Sequence, residues 1–453
     1  MYTWIRWAVA AVVVTAPLAF VTPAAAQPPP SFPKIPEFDA EFYSPAPDRV
    51  AAVEPGEIIA ARPVAVANVG VVPVNVDAWQ LSYRSNNSRG EAIPAVATVL
   101  KPRGDAASPR PLLSYQVAED SLGHYCASSY VLQQGSIPWP ITGAVTGGAQ
   151  FLEIQAALAQ GWAVVVPDHQ GPNSSFAAGP LAGRTTLDGI RAAENFEPMG
   201  LDGRGTPVGM LGYSGGSIAT GHAAELRQSY APDLNIVGAA EGGIAADLGA
   251  LVDNANNALG SGIVASGIIG VSREDPEMAA FVDRHINPLG RALFAAKDNL
   301  CVAWNSAIAP FSNLKGLFDT AGDPLLEPEA QRVLARLRMG QTVPDVPMFM
   351  FQSNPDWLVP VGPVNRLVDT YCADPSANVE YVRDHFSEHL TLDVIGLPRA
   401  LLWLRDRFAG VPPTPGCSTT DVGSMALDAE TWPVWQETVG DLVAGLFGKP
   451  IGA

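Results

Sequence analysis

The sequence predicts an α/β fold: a mostly parallel central sheet with helices on both faces and a helical cap inserted into it. Three observations predict it. Continuous apolar runs at 163–167, 208–211 and 236–240 alternate with helix-compatible segments at 149–160, 186–195 and beyond 215, the rhythm of strands buried on both faces. The run at 208–211 leads into Gly212-Tyr213-Ser214-Gly215-Gly216, a G-x-S-x-G turn between strand and helix. The alternation lapses from 244 to 339, where only helical patterns recur, and resumes at 346–352.

The elements follow in order. Residues 27–55 are proline-rich and aperiodic and read as an extended strap. Strands are expected at 76–83 and 94–101, joined by the hairpin-like loop Ser85-Asn86-Asn87-Ser88-Arg89-Gly90, and at 111–115, which runs into Gln116 to Ser121. The run at 163–167 ends in Asp168-His169-Gln170, and the turn at Ser214 feeds a helix through His222 to Leu226. Inside the insertion, helices are expected at 248–258, 276–285, 289–296, 302–308 and 328–337, with a glycine-spaced apolar run at 258–271 among them. A helix at 361–371, a strand at 379–383 and a helix at 390–408 close the main domain, leaving a tail from Val411 with Cys417, Trp432 and Trp435. The organisation expected is a signal peptide 1–26, a core 27–243, a helical cap 244–339, a second part of the core 340–410 and a C-terminal flap 411–453.

Composition narrows the function. A chain of 453 residues, 47% hydrophobic, can bury a large core. Its net charge of −18 repels nucleic acid and anionic lipid headgroups, so neutral molecules are the expected partners and no protein partner is implied. Arg6, an apolar run at 7–21 and Ala24-Ala25-Ala26 read as a cleavable export signal; the run is short for a membrane anchor and is interrupted by Pro17. Four cysteines in an exported chain suggest two disulfides. Cys126 and Cys301 precede the candidate acid and Cys372 and Cys417 follow it; of three possible pairings, Cys126–Cys301 with Cys372–Cys417 is preferred.

The turn at Ser214 has a steric logic. A side chain at Gly212 or Gly216 would strike the neighbouring strand or the turn's own backbone, and the turn lifts the serine hydroxyl out of the sheet. It also aims the Gly215 N–H toward a developing oxyanion. A serine nucleophile needs a base, and the base needs an orienting acid, in the chain order Ser, acid, His. Asp356 lies in the loop after the 346–352 strand, whereas Asp345 precedes that strand and belongs at the wrong end of the sheet. After the 379–383 strand comes Asp384-His385-Phe386-Ser387-Glu388-His389, where His389 is the preferred base and His385 the alternative. The same residues spell H-x-x-E-H, a zinc-peptidase pattern. It requires both histidines on one helix face and a third ligand, so no metal is expected.

With these residues in place, the chain resembles the secretory lipase family. The matching stretches are Pro55 to Ile59, Ser114 to Ser121, Gly161 to Asp168, Gly212 to Gly216, the loop holding Asp356, and Ser387-Glu388-His389. The resemblance implies an α/β-hydrolase fold with a catalytic triad of Ser214, Asp356 and His389. It implies an oxyanion hole of protonated Asp120 and the Gly215 N–H, with Tyr213 between the elbow glycines. A cap carrying an acyl tunnel, a C-terminal flap near its entrance and the two disulfides above are also implied. By itself, Asp120 reads equally as a loop residue closing a turn. The expectation is a secreted serine carboxylester hydrolase, acting as a triacylglycerol lipase on a small-molecule or lipid ester, at a lipid–water interface, without a cofactor. An esterase for soluble esters, an acyltransferase, a serine peptidase or amidase, and a non-catalytic binding protein are the alternatives.

Overall fold

A computed structural model describes residues 32–452, apart from 105, 107 and 108. The expected signal peptide lies outside the described residues. Among those described, ten strands form one sheet: β1 (Ile58–Pro63), β2 (Asp77–Asn86), β3 (Ala92–Lys101), β4 (Leu112–Gln116), β5 (Ala163–Pro167), β6 (Val208–Tyr213), β7 (Ile236–Gly242), β8 (Met348–Ser353), β9 (Val379–Asp384) and β10 (Cys417–Val422). The spatial order is β1-β2-β3-β5-β4-β6-β7-β8-β9-β10. The first three strands and the β3–β5 pair are antiparallel; from β5 to β10 every neighbouring pair is parallel.

The helices that flank or interrupt this sheet are α1 (Val145–Ala159), α2 (Gly179–Asn195), α3 (Gly215–Tyr230), α4 (Leu248–Ala255), α5 (Ser261–Glu274), α6 (Pro276–His285), α7 (Pro288–Lys297), α8 (Val302–Ala307), α9 (Pro328–Leu337), α10 (Val361–Cys372), α11 (His389–Phe408) and α12 (Trp432–Leu446). Because side chains alternate along a strand, each buried strand feeds two cores. Met348 and Met350 of β8 join Leu187, Ile190 and Val364 on one face, and Phe349 and Phe351 join Ile154, Leu401 and Trp403 on the other. In β5, Ala163 and Val165 face the first core and Val164 and Val166 the second. A continuous apolar run is therefore the signature of a strand covered on both sides.

Six helices, α4 to α9, separate β7 from β8. Cys126, shortly after β4, is bonded to Cys301 at the start of α8, which ties this helical block to the core; Cys372 at the end of α10 is bonded to Cys417 at the start of β10.

Two segments depart from the expectations. The supposed strap at 27–55 contains short helices at Ala40–Tyr43 and Pro47–Ala51, the second begun by a proline whose fixed φ suits a first helical turn. The tail does not lie outside the sheet. Its residues Cys417–Val422 add β10 in parallel beside β9, and their polar, exposed composition, normal for an edge, hides the strand from a periodicity argument. Strand β1 is also an edge strand, and its apolar stretch from Ile58 to Ala61 is too short a run for periodicity to identify.

Candidate active site

The loops after β4, β6, β7, β8 and β9 all leave the same edge of the sheet, the carboxyl end of its parallel strands. At the end of β6 the chain turns at Ser214, with φ 52° and ψ −119°, and enters α3 at once. The positions flanking the serine leave no room for a side chain: a Cβ at Gly216 would stand 2.0 Å from Gln116 O, and one at Gly212 2.4 Å from Gly216 O. The Ser214 N–H donates to Gly242 O at 2.9 Å, and Ser217 Oγ donates to Ser214 O at 2.6 Å, so the strained turn is held from both sides.

The turn presents Ser214 Oγ to His389 Nε2 at 2.8 Å. His389 Nδ1 faces Asp356 Oδ2 at 2.7 Å, and both side chains are almost wholly buried. Asp356 is fixed in turn. Its Oδ1 accepts from the N–H groups of Leu358 and Val359 at 2.9 and 2.8 Å, and Gln352 Nε2 donates to Oδ2 at 3.2 Å. His389 opens α11 and owes its placement to that helix end. Glu388 caps it, accepting from the Leu390 and Thr391 N–H groups and from Trp357 Nε1 at 2.9 Å. Burial raises the Glu388 carboxyl, but these donors and the Thr391 hydroxyl outweigh burial and hold it down to about 2. Tyr213, inside the elbow, donates its hydroxyl to His389 O at 2.6 Å.

Asp120 stands beside the first helical residue after Ser214: a Cβ on Gly215 would lie 1.6 Å from Asp120 Oδ1. Asp120 has φ 47°, is buried, and its Oδ1 has no hydrogen-bond partner among the described residues. Burial pushes its carboxyl up to about 7, opposed by the charge of His389 and aided by that of Asp393. Ser214, Gly215 and Asp120 all border an apolar cavity walled by Phe176, Ile218, Ile263, Ile268, Val333 and Leu358. The geometry can therefore move the serine proton to an oriented imidazole beside an amide N–H and a carboxyl raised to about 7, with an apolar chain held alongside.

The rejected candidates stand elsewhere. His385 is half exposed and pairs with Asp421 at 2.7 Å, so it shares no helix face with His389, and Glu388 of H-x-x-E-H is spent as a cap. Asp345 is bound to Arg227 at 2.6 Å before β8 begins. His169 and His222 are buried against the carbonyls of Val117 and Leu337 and pushed down to about 4 by desolvation. Of the 258–271 run, Ile263, Val264, Gly267, Ile268 and Val271 line the cavity, while Ala265 and Ile269 pack into the core of the helical block. Sequence reasoning missed Gln352. Its signal was a lone amide ending the apolar run Met348-Phe349-Met350-Phe351.

A family model described as secretory lipase matches residues 137–416, more than half the chain. The chain belongs to the secretory lipase family. It is a carboxylic ester hydrolase of α/β-hydrolase fold. Among curated relatives it is 34% identical to "Lipase A" of Arthroderma benhamiae over 92% of this chain and 89% of that one. It is 38% identical to the "Probable inactive lipase MT1628" of Mycobacterium tuberculosis over 84% of each, and 33% identical to "Secreted triacylglycerol lipase LIP2" of Malassezia furfur over 82% and 79%. Its fold superposes on the crystal structure of Candida antarctica lipase A with a TM-score of 0.80 at 29% identity, covering 93% of this chain and 99% of that one.

Proposed function

We propose that this chain is an exported triacylglycerol lipase that works through an acyl-enzyme on Ser214. The observation that carries this reading is the unbroken contact Ser214–His389–Asp356, at 2.8 and 2.7 Å, at the edge of an apolar cavity. As Ser214 Oγ attacks the ester carbonyl carbon, its proton passes to His389 Nε2 and the carbonyl electron pair moves onto oxygen. The Asp356 carboxylate orients Nδ1–H and stabilises the imidazolium. The oxyanion accepts hydrogen bonds from the Gly215 N–H and from protonated Asp120. Collapse breaks the ester bond, and the departing alcohol takes the proton from His389. Water then attacks the acyl-enzyme by the same route and frees the carboxylic acid.

In this reading 244–339 is the cap holding the acyl chain, 411–453 a flap, and 1–26 an export signal removed after Ala26. The cavity's apolar walls support a long acyl chain, and the name of the Malassezia furfur relative, a triacylglycerol lipase, supports a glyceride substrate. A second reading is an esterase for soluble esters that uses the same three residues. One experiment separates them: hydrolysis of p-nitrophenyl esters from C2 to C16, and of emulsified triolein, by the parent and by Ser214→Ala. The expected result is a preference for the longer chains and a loss of about 10³-fold or more in kcat/KM for the variant. Equal rates for parent and variant would sink the lipase reading; activity confined to C2–C4 would leave an esterase.

A further inference from the structure

We propose that Gln352 is a positioning residue for this reaction, one that fixes the Asp356 carboxylate toward His389 and ties it to the first residues of the helical block. The inference rests on Ser214, His389 and Asp356 being the reacting relay. Gln352 is wholly buried in β8, in the row of alternate positions that also holds Met348 and Met350. A primary amide in such a row costs desolvation unless its polar atoms find partners. Here each does. Nε2 donates to Asp356 Oδ2 at 3.2 Å and to Val359 O at 3.0 Å, and Oε1 accepts from the Ile244 N–H at 2.8 Å.

Three features make this more than a satisfied core amide. Oδ2 is the oxygen that receives His389 Nδ1 at 2.7 Å, so Gln352 and His389 share one acceptor. With Oδ1 held by the N–H groups of Leu358 and Val359, the carboxylate plane is defined from three directions. An amide supplies its donor without a charge, whereas lysine or arginine at this place would neutralise the anion the imidazolium needs. Finally, Ile244 follows Gly243, where a Cβ would stand 3.1 Å from His389 Cε1. The bond to the Ile244 N–H therefore also steadies the backbone lying against the imidazole.

The test is the pH profile of kcat and kcat/KM on p-nitrophenyl octanoate for the parent, Ser214→Ala, Gln352→Met and Gln352→Glu. Methionine matches the length and removes the donor. The expected result is a fall of ~10–100-fold in kcat with KM within about twofold, the range typical of lost orienting partners. The acid limb should also move to higher pH. A carboxylate serving His389 with less competition favours the imidazolium, so a higher pH is needed to free the base. Glutamate keeps an acceptor for Ile244; protonated it donates to Asp356, and ionised it repels it. In an Asp120→Asn background, free of the alkaline decline that a protonated Asp120 gives the parent, its activity should survive at acid pH and be lost as pH rises, through an alkaline limb that Asp120→Asn alone lacks. If both variants keep the limbs of their own background, whatever their kcat, the inference is overturned. Should Gln352→Met not fold, Gln352→Glu decides alone, and absence of the new limb overturns the inference. An active Ser214→Ala would instead overturn the relay reading, and this inference with it.

Discussion

A carboxyl that donates a hydrogen bond must keep its proton, and in the proposed mechanism that demand falls on Asp120. Burial raises its carboxyl to about 7, so the donor is present below that pH and is lost as pH rises through it. Ester hydrolysis by the parent should therefore decline on the alkaline side of about 7. Asp120→Asn, whose amide donates at every pH, should show no such decline, and Asp120→Leu should lose ~10²–10³-fold in kcat. Initial rates between pH 5 and 9 check all three; an unaltered alkaline limb in Asp120→Asn would remove Asp120 from the mechanism. The histidines teach a similar lesson. His385 and His389 sit four positions apart, yet one meets Asp421 on the surface and the other meets Ser214, because only His389 is carried inward by the start of α11.

Helix α5 shows how one element serves two purposes. Gly267 and Gly270 are three residues apart, yet their surroundings differ. A Cβ at Gly270 would lie 2.4 Å from Phe176 O, against backbone that cannot yield, while one at Gly267 would find its nearest neighbour, Ala177 Cβ, at an ordinary 3.6 Å. Gly270→Ala should thus destabilise the fold by about 2–3 kcal/mol through overpacking. Gly267→Leu should fold and fill the cavity it borders. Urea denaturation of both, with the C2–C16 ester series for the second, provides the check. The expected outcome is that Gly267→Leu keeps C2–C4 activity and loses ~10-fold or more on C12–C16. Equal loss at all lengths would mean the acyl chain runs elsewhere.

At the scale of the whole molecule, buried carboxyls set the response to pH. Burial raises Glu241 to about 8, with neither carboxyl oxygen partnered among the described residues, and raises Glu194 to about 8 as well. Burial also raises Glu119 and Glu153 well above the usual carboxylate range. The folded state holds these protons where the unfolded chain has released them, so stability falls as pH rises toward the folded-state values. Buried His169 and His222, at about 4, act oppositely: their contribution is lost on acidification below about 6.5, and above that it is constant. Between pH 6.5 and 8 the carboxyl effect dominates, opposed near pH 8 by Lys297, whose ammonium is lowered by burial to about 8. Scanning calorimetry should show Tm falling by a few degrees across that window, and Glu241→Gln, neutral throughout, should flatten the fall. A Tm that rises across the window would contradict the burial of these groups as neutral acids.

What the sequence by itself determined was whatever depends on neighbours along the chain. The apolar runs specified strands covered on both faces, the glycines around Ser214 specified a turn no other residue could make, and the break after β7 marked the helical block between strands. Edge strands β1 and β10 escaped: β10 is polar, as an edge covered on one side allows, and the four apolar residues of β1 are too few to tell a strand from another buried segment. The tertiary structure alone decided which histidine meets Ser214, that Asp120 is buried enough for its carboxyl to rise to about 7, and that Gln352 lies against Asp356. Each of these is a contact or a desolvation set by groups from other strands and helices, and no local pattern encodes the distance between residues that only folding brings together.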